Sequence, residues 1–560
     1  MNKIAFYHHA NSEYSYIDGD KITLLFRAAK GDLSAVSVIE YNRFTDYRLR
    51  KNRKMELYQS DELFDFFKVT FVPENYGCIY YFKLFDGEEI GYYGEFGYTQ
   101  TEFIRLGSYE IPRIQPTDSY HSPEWVNEAV FYQIYPDRFD NFENTTGTYE
   151  PWGTQPTFWN VFGGNFKGIL RRIPHLVELG INAIYMTPIS LSHSSHRYDT
   201  IDYMQIDPRL GTDEEFAELV QELHRNGIKI VLDAVFNHSS NEFKPFMDVL
   251  ENQENSRYKD WFLIDQFPIK VEKNKTYQTF ASEPHMPKLN SLNSEVRDYL
   301  IKVGLHYIQK FDIDGWRLDV ADEVDSEFWR AFRRAIKTAK PSALIIGEVW
   351  HNSDYYLRGD QFDSVQNYQF YEVINNFFLR KSIDLKTFKN QVVHLLTMYP
   401  EPVLRALLNQ MDSHDVARTL TVAKNDIKSL KLAILFQLTY IGMPCIYYGS
   451  EIGMEGSWDP DNRRCFDWNK EHWNLDLFNH YHELIALRKH SSSLKNGSFK
   501  LIETADILVY DRVFGTEITR IMMNPSNQDQ PFDLGLTIGF SGLHGKPVLP
   551  AKGYLILQSK

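Results

Sequence analysis

The chain has 560 residues, 43% of them hydrophobic and 24% charged, with a formal net charge of -15. That length is too great for one core and predicts roughly three or four domains of about 100 to 200 residues, while near-average composition excludes wholesale disorder and fibrous repeats. The acidic balance, without any run of Lys and Arg, excludes nucleic acid as a partner.

The opening residues, MNKIAFYHHANSEYSY, lack the apolar core of a signal peptide, and no stretch of about 18 apolar residues follows. No membrane partner is therefore expected, and a cytoplasmic location is. Three widely spaced cysteines, Cys78, Cys445 and Cys465, suit a reducing compartment better than a disulfide framework.

Residues 1–118 read as short alternating strands such as KITLLFRA, GCIYYFKLF and EIGYYGEF, punctuated by turn residues, and predict a β-sandwich. A polar, proline-containing stretch, IPRIQPTDSYHSPEW, separates them from a different pattern over 119–494. There, apolar runs alternate with amphipathic stretches: AVFYQIYP, INAIYMTPI, IKIVLDAVF, FDIDGWRLDV, ALIIGEVW, SVQNYQF, VLRALLNQM and MPCIYYG. Eight such runs predict an α/β fold, a (β/α)8 TIM barrel, with helices at TDEEFAELVQELHRNG and SEVRDYLIKVGLHYIQKF. Residues 239–291, after the third strand, read as an inserted lid or subdomain without a long helix. Residues 495–560 return to short strands, ADILVYDRV, EITRIMMN and GYLILQ, and predict a small C-terminal β domain.

Four strings, DAVFNH (233–238), GWRLDVADE (315–323), GEVW (347–350) and SHD (413–415), fall at the ends of predicted strands three, four, five and seven, where barrel active sites collect. Arg317 and Asp319 are two apart on one strand, so both face the barrel axis. The guanidinium is expected to keep Asp319 ionised and nucleophilic, or the two form a structural ion pair. Glu348 follows the apolar run ALIIG, where a dry surround and neighbouring carboxylates favour a protonated acid. An acid and a carboxylate about 5 Å apart divide the work of a retaining glycosidase. His238, His414 and Asp415 supply hydrogen-bond partners for sugar hydroxyls, or are buried polar residues satisfied within the protein.

With AVFYQIYPDRF (129–139), HRYDTIDYMQIDPRLGT (196–212), MPKLN (286–290) and DPDNRRCFDW (459–468), these strings make the chain resemble the α-amylase family, and within it the neopullulanase, cyclomaltodextrinase and maltogenic amylase subgroup. The resemblance implies Asp319 as nucleophile, Glu348 as acid/base and Asp415 as the third carboxylate. It places Arg317, His238 and His414 in the same subsite, Tyr198 as its stacking aromatic, Asp233 as the brace of the arginine, and Trp350 and Glu323 at the acceptor side. It also implies hydrolysis of α-1,4- and some α-1,6-glucosidic bonds in cyclodextrins, pullulan, starch and maltooligosaccharides. A short-chain oligo-α-glucosidase is the alternative; a non-catalytic glucan-binding protein is disfavoured because all three carboxylates are present. A homodimer formed through the N-terminal domain is the expected assembly.

Two departures stand out. Asp322 occupies a place where relatives often have Asn, which leaves transglycosylation open. In the segment where relatives bind calcium, the chain has DNFENTTG (140–147) and Gly163-Gly164-Asn165. Asn141, Glu143 and Asn165 supply oxygens for Ca2+, or the segment is an ordinary polar loop. No organic cofactor is expected. HYHELIALRKH (480–490) lacks the second histidine of a zinc helix, since Ala486 stands there, and reads as a surface helix.

Overall fold

The computed structural model describes the chain except residues 45–47, 105, 116–117, 145–146, 272–274, 534, 536–547 and 560. It divides into two compact units. Among the described residues no helix is long and apolar enough to cross a membrane.

The first unit comprises Met1–His121, Ile383–Leu404 and Gly497–Lys560. Its N-terminal part is an antiparallel sandwich. One sheet orders Ser15–Asp18, Lys21–Ala29, Phe64–Phe71 and Glu56–Ser60, and the other is built around Ala35–Tyr41 and Cys78–Phe85. Strand alternation explains the core: Ile22, Leu24, Phe26 and Ala28 face Val36, Val38, Tyr80, Phe82 and Leu84. The C-terminal strands form a second antiparallel sheet, Ser498–Ile502, Leu508–Phe514, Glu517–Met523 and Tyr554–Gln558.

The second unit comprises Ser122–Ser382 and Arg405–Asn496 and contains the barrel. Its strands are β1 (Phe131–Ile134), β2 (Ala183–Met186), β3 (Lys229–Ala234), β4 (Gly315–Leu318), β5 (Leu344–Gly347), β6 (Ser364–Val365), β7 (Leu408–Gln410) and β8 (Met443–Tyr447). All pairings are parallel in the order β6-β5-β4-β3-β2-β1-β8-β7, and a parallel bridge between Gln366 and Leu408 closes the ring. Nearly every strand residue is buried, which is why these strands read as continuous apolar runs rather than alternating ones.

Helices α1 (Phe166–Leu179), α2 (Asp213–Arg225), α3 (Ser294–Phe311) and α4 (Ser326–Ala339) stand between successive strands. The two predicted helices form where expected. α2 starts in a capping box, with the Thr212 hydroxyl accepting from Glu215 N–H and the Glu215 carboxylate accepting from Thr212 N–H, and buries Phe216, Leu219, Val220 and Leu223. α3 ends at Asp312, whose φ of 58° is left-handed.

The structure shortens two predicted strands. SVQNYQF yields only β6 and the bridging Gln366, because Asn367 caps the next helix, α5 (Tyr368–Ile374), accepting from Phe370 N–H. VLRALLNQM begins as the helix Glu401–Ala406, and only its end is β7. Within residues 239–291 the α-helix is short, the nine residues Lys244–Asn252. MPKLN folds this insertion back onto β3: Leu289 N–H donates to Asn237 carbonyl and Ser239 N–H to Pro287 carbonyl. The HYHELIALRKH string lies in α6 (Leu475–His490), with His480 buried and His482 exposed, so the two do not form a metal pair.

Candidate active site

Register places the chemistry. Asp233 pairs with Arg317, Arg317 with Ile346, and Leu318 with Gly347 across β3, β4 and β5. The next residues along β4 and β5, Asp319 and Glu348, therefore emerge side by side at the C-terminal mouth of the barrel. Arg317, fully buried at 0% exposure, bridges them. Its Nη1 donates to Asp319 Oδ1 at 2.9 Å and to both oxygens of Asp233 at 3.0 and 2.9 Å, while Nη2 lies 2.8 Å from Glu348 Oε2. Two carboxylates on the two arms of one rigid fork lie within about 8 Å of each other.

The backbone after Asp319 is turned sharply. Val320 has φ 44° and ψ 48°, a left-handed conformation that costs a β-branched residue roughly 1–3 kcal/mol. The turn aims Val320 N–H at Glu348 Oε2, 2.9 Å away, and the Ala321 N–H at the Glu348 carbonyl. The Trp350 indole N–H donates to Glu348 Oε1 at 3.1 Å, and its ring stacks on Tyr368 with centroids 4.0 Å apart. Glu348 is thus fixed from three sides. Trp350 remains 44% exposed, leaving a ring face open at the rim.

β7 delivers the third group. His414 Nδ1 accepts from the Gln133 amide at 2.7 Å, and Nε2 lies 2.6 Å from the Tyr198 hydroxyl and 3.2 Å from Asp415 Oδ1. That pattern assigns a neutral imidazole protonated at Nε2. The Tyr198 hydroxyl donates to Asp233 Oδ2 at 2.8 Å, and its ring lies parallel to His414 within 7°. His238 donates from Nε2 to the Tyr198 carbonyl at 3.1 Å and stacks on Phe280 of the insertion. Arg463 holds the His414 carbonyl and reaches toward Asp415 and Asp459.

The structure therefore gathers Asp319, Glu348, Asp415, Asp233, Arg317, Tyr198, His414 and His238 into one hydrogen-bonded site. Glu323 stands outside it, paired with Lys288 of MPKLN at 2.8 Å. Sequence reading missed Gln133, Gln366, Tyr185 and Phe280. Tyr185 donates to Asp233 at 2.6 Å, and its inward place on β2 is the only signal that would have marked it.

Burial dominates the electrostatics. It raises Asp319 well above the ordinary carboxylate range; Arg317 opposes this, and Glu348, Asp233 and Asp415 reinforce it. Arg317 favours the ionised Asp319, as the sequence implies, but burial and the neighbouring carboxylates act against it, because one guanidinium serves several carboxylates. Burial likewise lifts Asp233 to about 6 and raises Asp415 against Arg317 and Arg463. It lowers His238 to about 3 and His414 well below the usual range. Burial thus works against the charged forms of Asp319, Asp233 and Asp415 and keeps His238 and His414 neutral.

The residues expected at a calcium site are arranged otherwise. Asn141 and Glu143 are exposed. Asn165 accepts from Gly168 N–H as a helix cap and donates to the Phe142 carbonyl. The Gly163 and Arg209 carbonyls accept from Asn144, and buried Asp140 holds the guanidiniums of Arg171 and Arg172. A calcium ion takes six to eight oxygens; with Asn165 engaged as a helix cap and Asp140 by two cations, exposed Asn141 and Glu143 are too few to fit one. Thr145 and Thr146 of the DNFENTTG string lie outside the described residues. Among the described residues no group of three or more His, Cys, Asp or Glu is placed to hold a metal.

A closed parallel barrel with paired carboxylates at its C-terminal mouth and a third alongside defines a barrel enzyme of the glycoside hydrolase class. Comparison with known families agrees: the model for the α-amylase catalytic domain matches residues 133–474, and that for the α-amylase N-terminal Ig-like domain matches residues 1–111. The chain belongs to the α-amylase family. A cyclomaltodextrinase of Thermoanaerobacter pseudethanolicus is 42% identical over 541 residues, 95% of this chain and 94% of that protein. Neopullulanase 2 of Thermoactinomyces vulgaris is 41% identical, covering 94% and 92%. A solved cyclomaltodextrinase superposes with a TM-score of 0.94 at 38% identity over 100% of both chains.

Proposed function

We propose that the enzyme hydrolyses α-1,4- and some α-1,6-glucosidic bonds in cyclodextrins, pullulan, starch and maltooligosaccharides with retention of configuration. The observation that carries this is the single Arg317 fork holding both Asp319 and Glu348. Asp319 attacks the anomeric carbon as Glu348 protonates the departing glycosidic oxygen; a glycosyl-enzyme forms on Asp319, and Glu348 then deprotonates the water that releases it. Arg317 stabilises the ionised Asp319 as it attacks. Asp415 and His414 bind hydroxyls of the same sugar, Tyr198 and Trp350 offer ring faces to it and to the acceptor, and Glu323 borders the acceptor side. Names of the relatives support cyclodextrins and pullulan as substrates. Product chromatography on β-cyclodextrin, pullulan and soluble starch, with NMR of the first-formed anomer, tests the reading. A β-anomer product, or cleavage of none of the three, would sink it.

The calcium-like loop is held, in this proposal, by Arg171 and Arg172 on Asp140 rather than by an ion. The homodimer implied by the family resemblance is supported by the outer face of the N-terminal sandwich. There Tyr41, Tyr81 and Phe103 form an apolar cluster beside exposed Phe96, Ile104 and Leu106. A monomer at micromolar concentration with full cyclodextrin activity would refute it. A cytoplasmic location is supported by the three cysteines, which are buried and unpaired.

A further inference from the structure

One nitrogen of Arg317 is held by no carboxylate. Its Nε donates to Gln366 Oε1 at 2.9 Å, and the Gln366 amide in turn donates to Gln410 Oε1 at 2.8 Å. Both amides are buried, at 0% and 1% exposure, inside a barrel whose interior is ordinarily filled by branched apolar side chains. Each is costly there unless hydrogen-bonded. Gln366 stands at the bridge that closes the barrel between β6 and β7, and Gln410 ends β7. Gln410 Nε2 and the Tyr368 phenol oxygen are buried, and neither has a hydrogen-bond partner among the described residues. Tyr368 stacks beneath Trp350, which donates to Glu348. The hydrogen-bonded chain thus runs from Arg317 through Gln366 to Gln410, while the stacked Tyr368–Trp350 pair supports the acid/base separately.

The geometry matters because the carboxylates pull on Arg317 unequally. Asp233 takes both its contacts from Nη1, whereas Glu348 meets Nη2 once. An acceptor on Nε fixes the plane of the fork, so that Nη1 faces Asp319 and Nη2 faces Glu348 together. We propose that Gln366, backed by Gln410, is a positioning residue for catalysis that sets the plane of the Arg317 guanidinium across the two reacting carboxylates. The proposal rests on the reading of Asp319 and Glu348 as the reacting pair.

The test uses Q366M, which keeps the volume and removes the acceptor, and Q366M/Q410L, which also removes the amide left unpaired. Circular dichroism and thermal midpoint report folding, and kcat, KM and the pH profile of kcat/KM are measured on maltotriose. Both variants are expected to lose about 10- to 50-fold in kcat with KM within about twofold, since small misplacements of reacting groups cost up to about 100-fold. Their pH profiles shift because the fork no longer balances the carboxylates. The double variant regains thermal stability that the single one loses, without regaining kcat. A folded double variant with parental kcat and pH profile would overturn the proposal. So would kcat that rises and falls with the thermal midpoint, or failure of both variants to fold, each of which makes the role purely structural. D319N separates the underlying reading: if it retains activity the reacting pair is misassigned, whereas a parental Q366M in an enzyme that D319N inactivates defeats the positioning role alone.

Discussion

Replacing Asp319 with Asn is expected to abolish turnover and yet stabilise the fold. Asp319 is 6% exposed and shares Arg317 with Asp233 and Glu348. Two like charges about 5 Å apart at an effective dielectric of about 20 repel by roughly 3 kcal/mol, and one guanidinium contact returns a comparable amount. With burial and more than one like-charged neighbour against a single shared cation, the balance is unfavourable by about 1–2 kcal/mol at neutral pH. Asn keeps an oxygen for Arg317 Nη1 and carries no charge, so the midpoint should rise by about 1–3 °C. The sign with pH follows from the direction of the shift. A carboxyl raised in the folded state contributes stability that is present below its unfolded pKa of about 4 and is lost as pH rises through the folded value. The gain of D319N over the parent should therefore be near zero at about pH 4 and grow toward neutrality. Scanning calorimetry from pH 4 to 8 measures this, alongside maltotriose hydrolysis, where a loss of at least about 1000-fold is expected. A midpoint at pH 7 equal to or below the parental one, with no growth across that range, would refute the charge-balance argument. Near-parental hydrolysis would refute the role of Asp319.

The E348Q variant should lose about 100- to 10,000-fold on maltotriose but much less on an aryl glucoside whose leaving group needs no proton; equal losses on both would remove Glu348 from the acid role. Y198F deletes the hydroxyl between Asp233 and His414 and should lower kcat by roughly 10-fold and stability by about 1 kcal/mol, read by kinetics and urea denaturation; an unchanged kcat would make that hydroxyl dispensable. Chelation with EDTA should move the thermal midpoint by less than about 1 °C, because Arg171 and Arg172 already neutralise Asp140; a large fall reversed by Ca2+ would show that an ion holds the loop.

The sequence by itself determined the architecture of the barrel, because buried parallel strands need unbroken apolar runs and surface helices need a 3.6-residue stripe, and both patterns are local. It also marked the ends of β3, β4, β5 and β7, where Asp233, Asp319, Glu348 and Asp415 sit, since an ionisable residue just past such a run has few structural uses. What it left out depends on which strands become neighbours. SVQNYQF reads as a strand until Asn367 caps a helix, and Gln366 reads as one more polar residue until barrel closure sets it against Arg317. The electrostatic surroundings of Asp319 were likewise decided only in three dimensions. Spacing along β4 reveals the arginine two residues away, but not that the same guanidinium must also serve carboxylates from β3 and β5 in a buried place, where burial works against the charged Asp319.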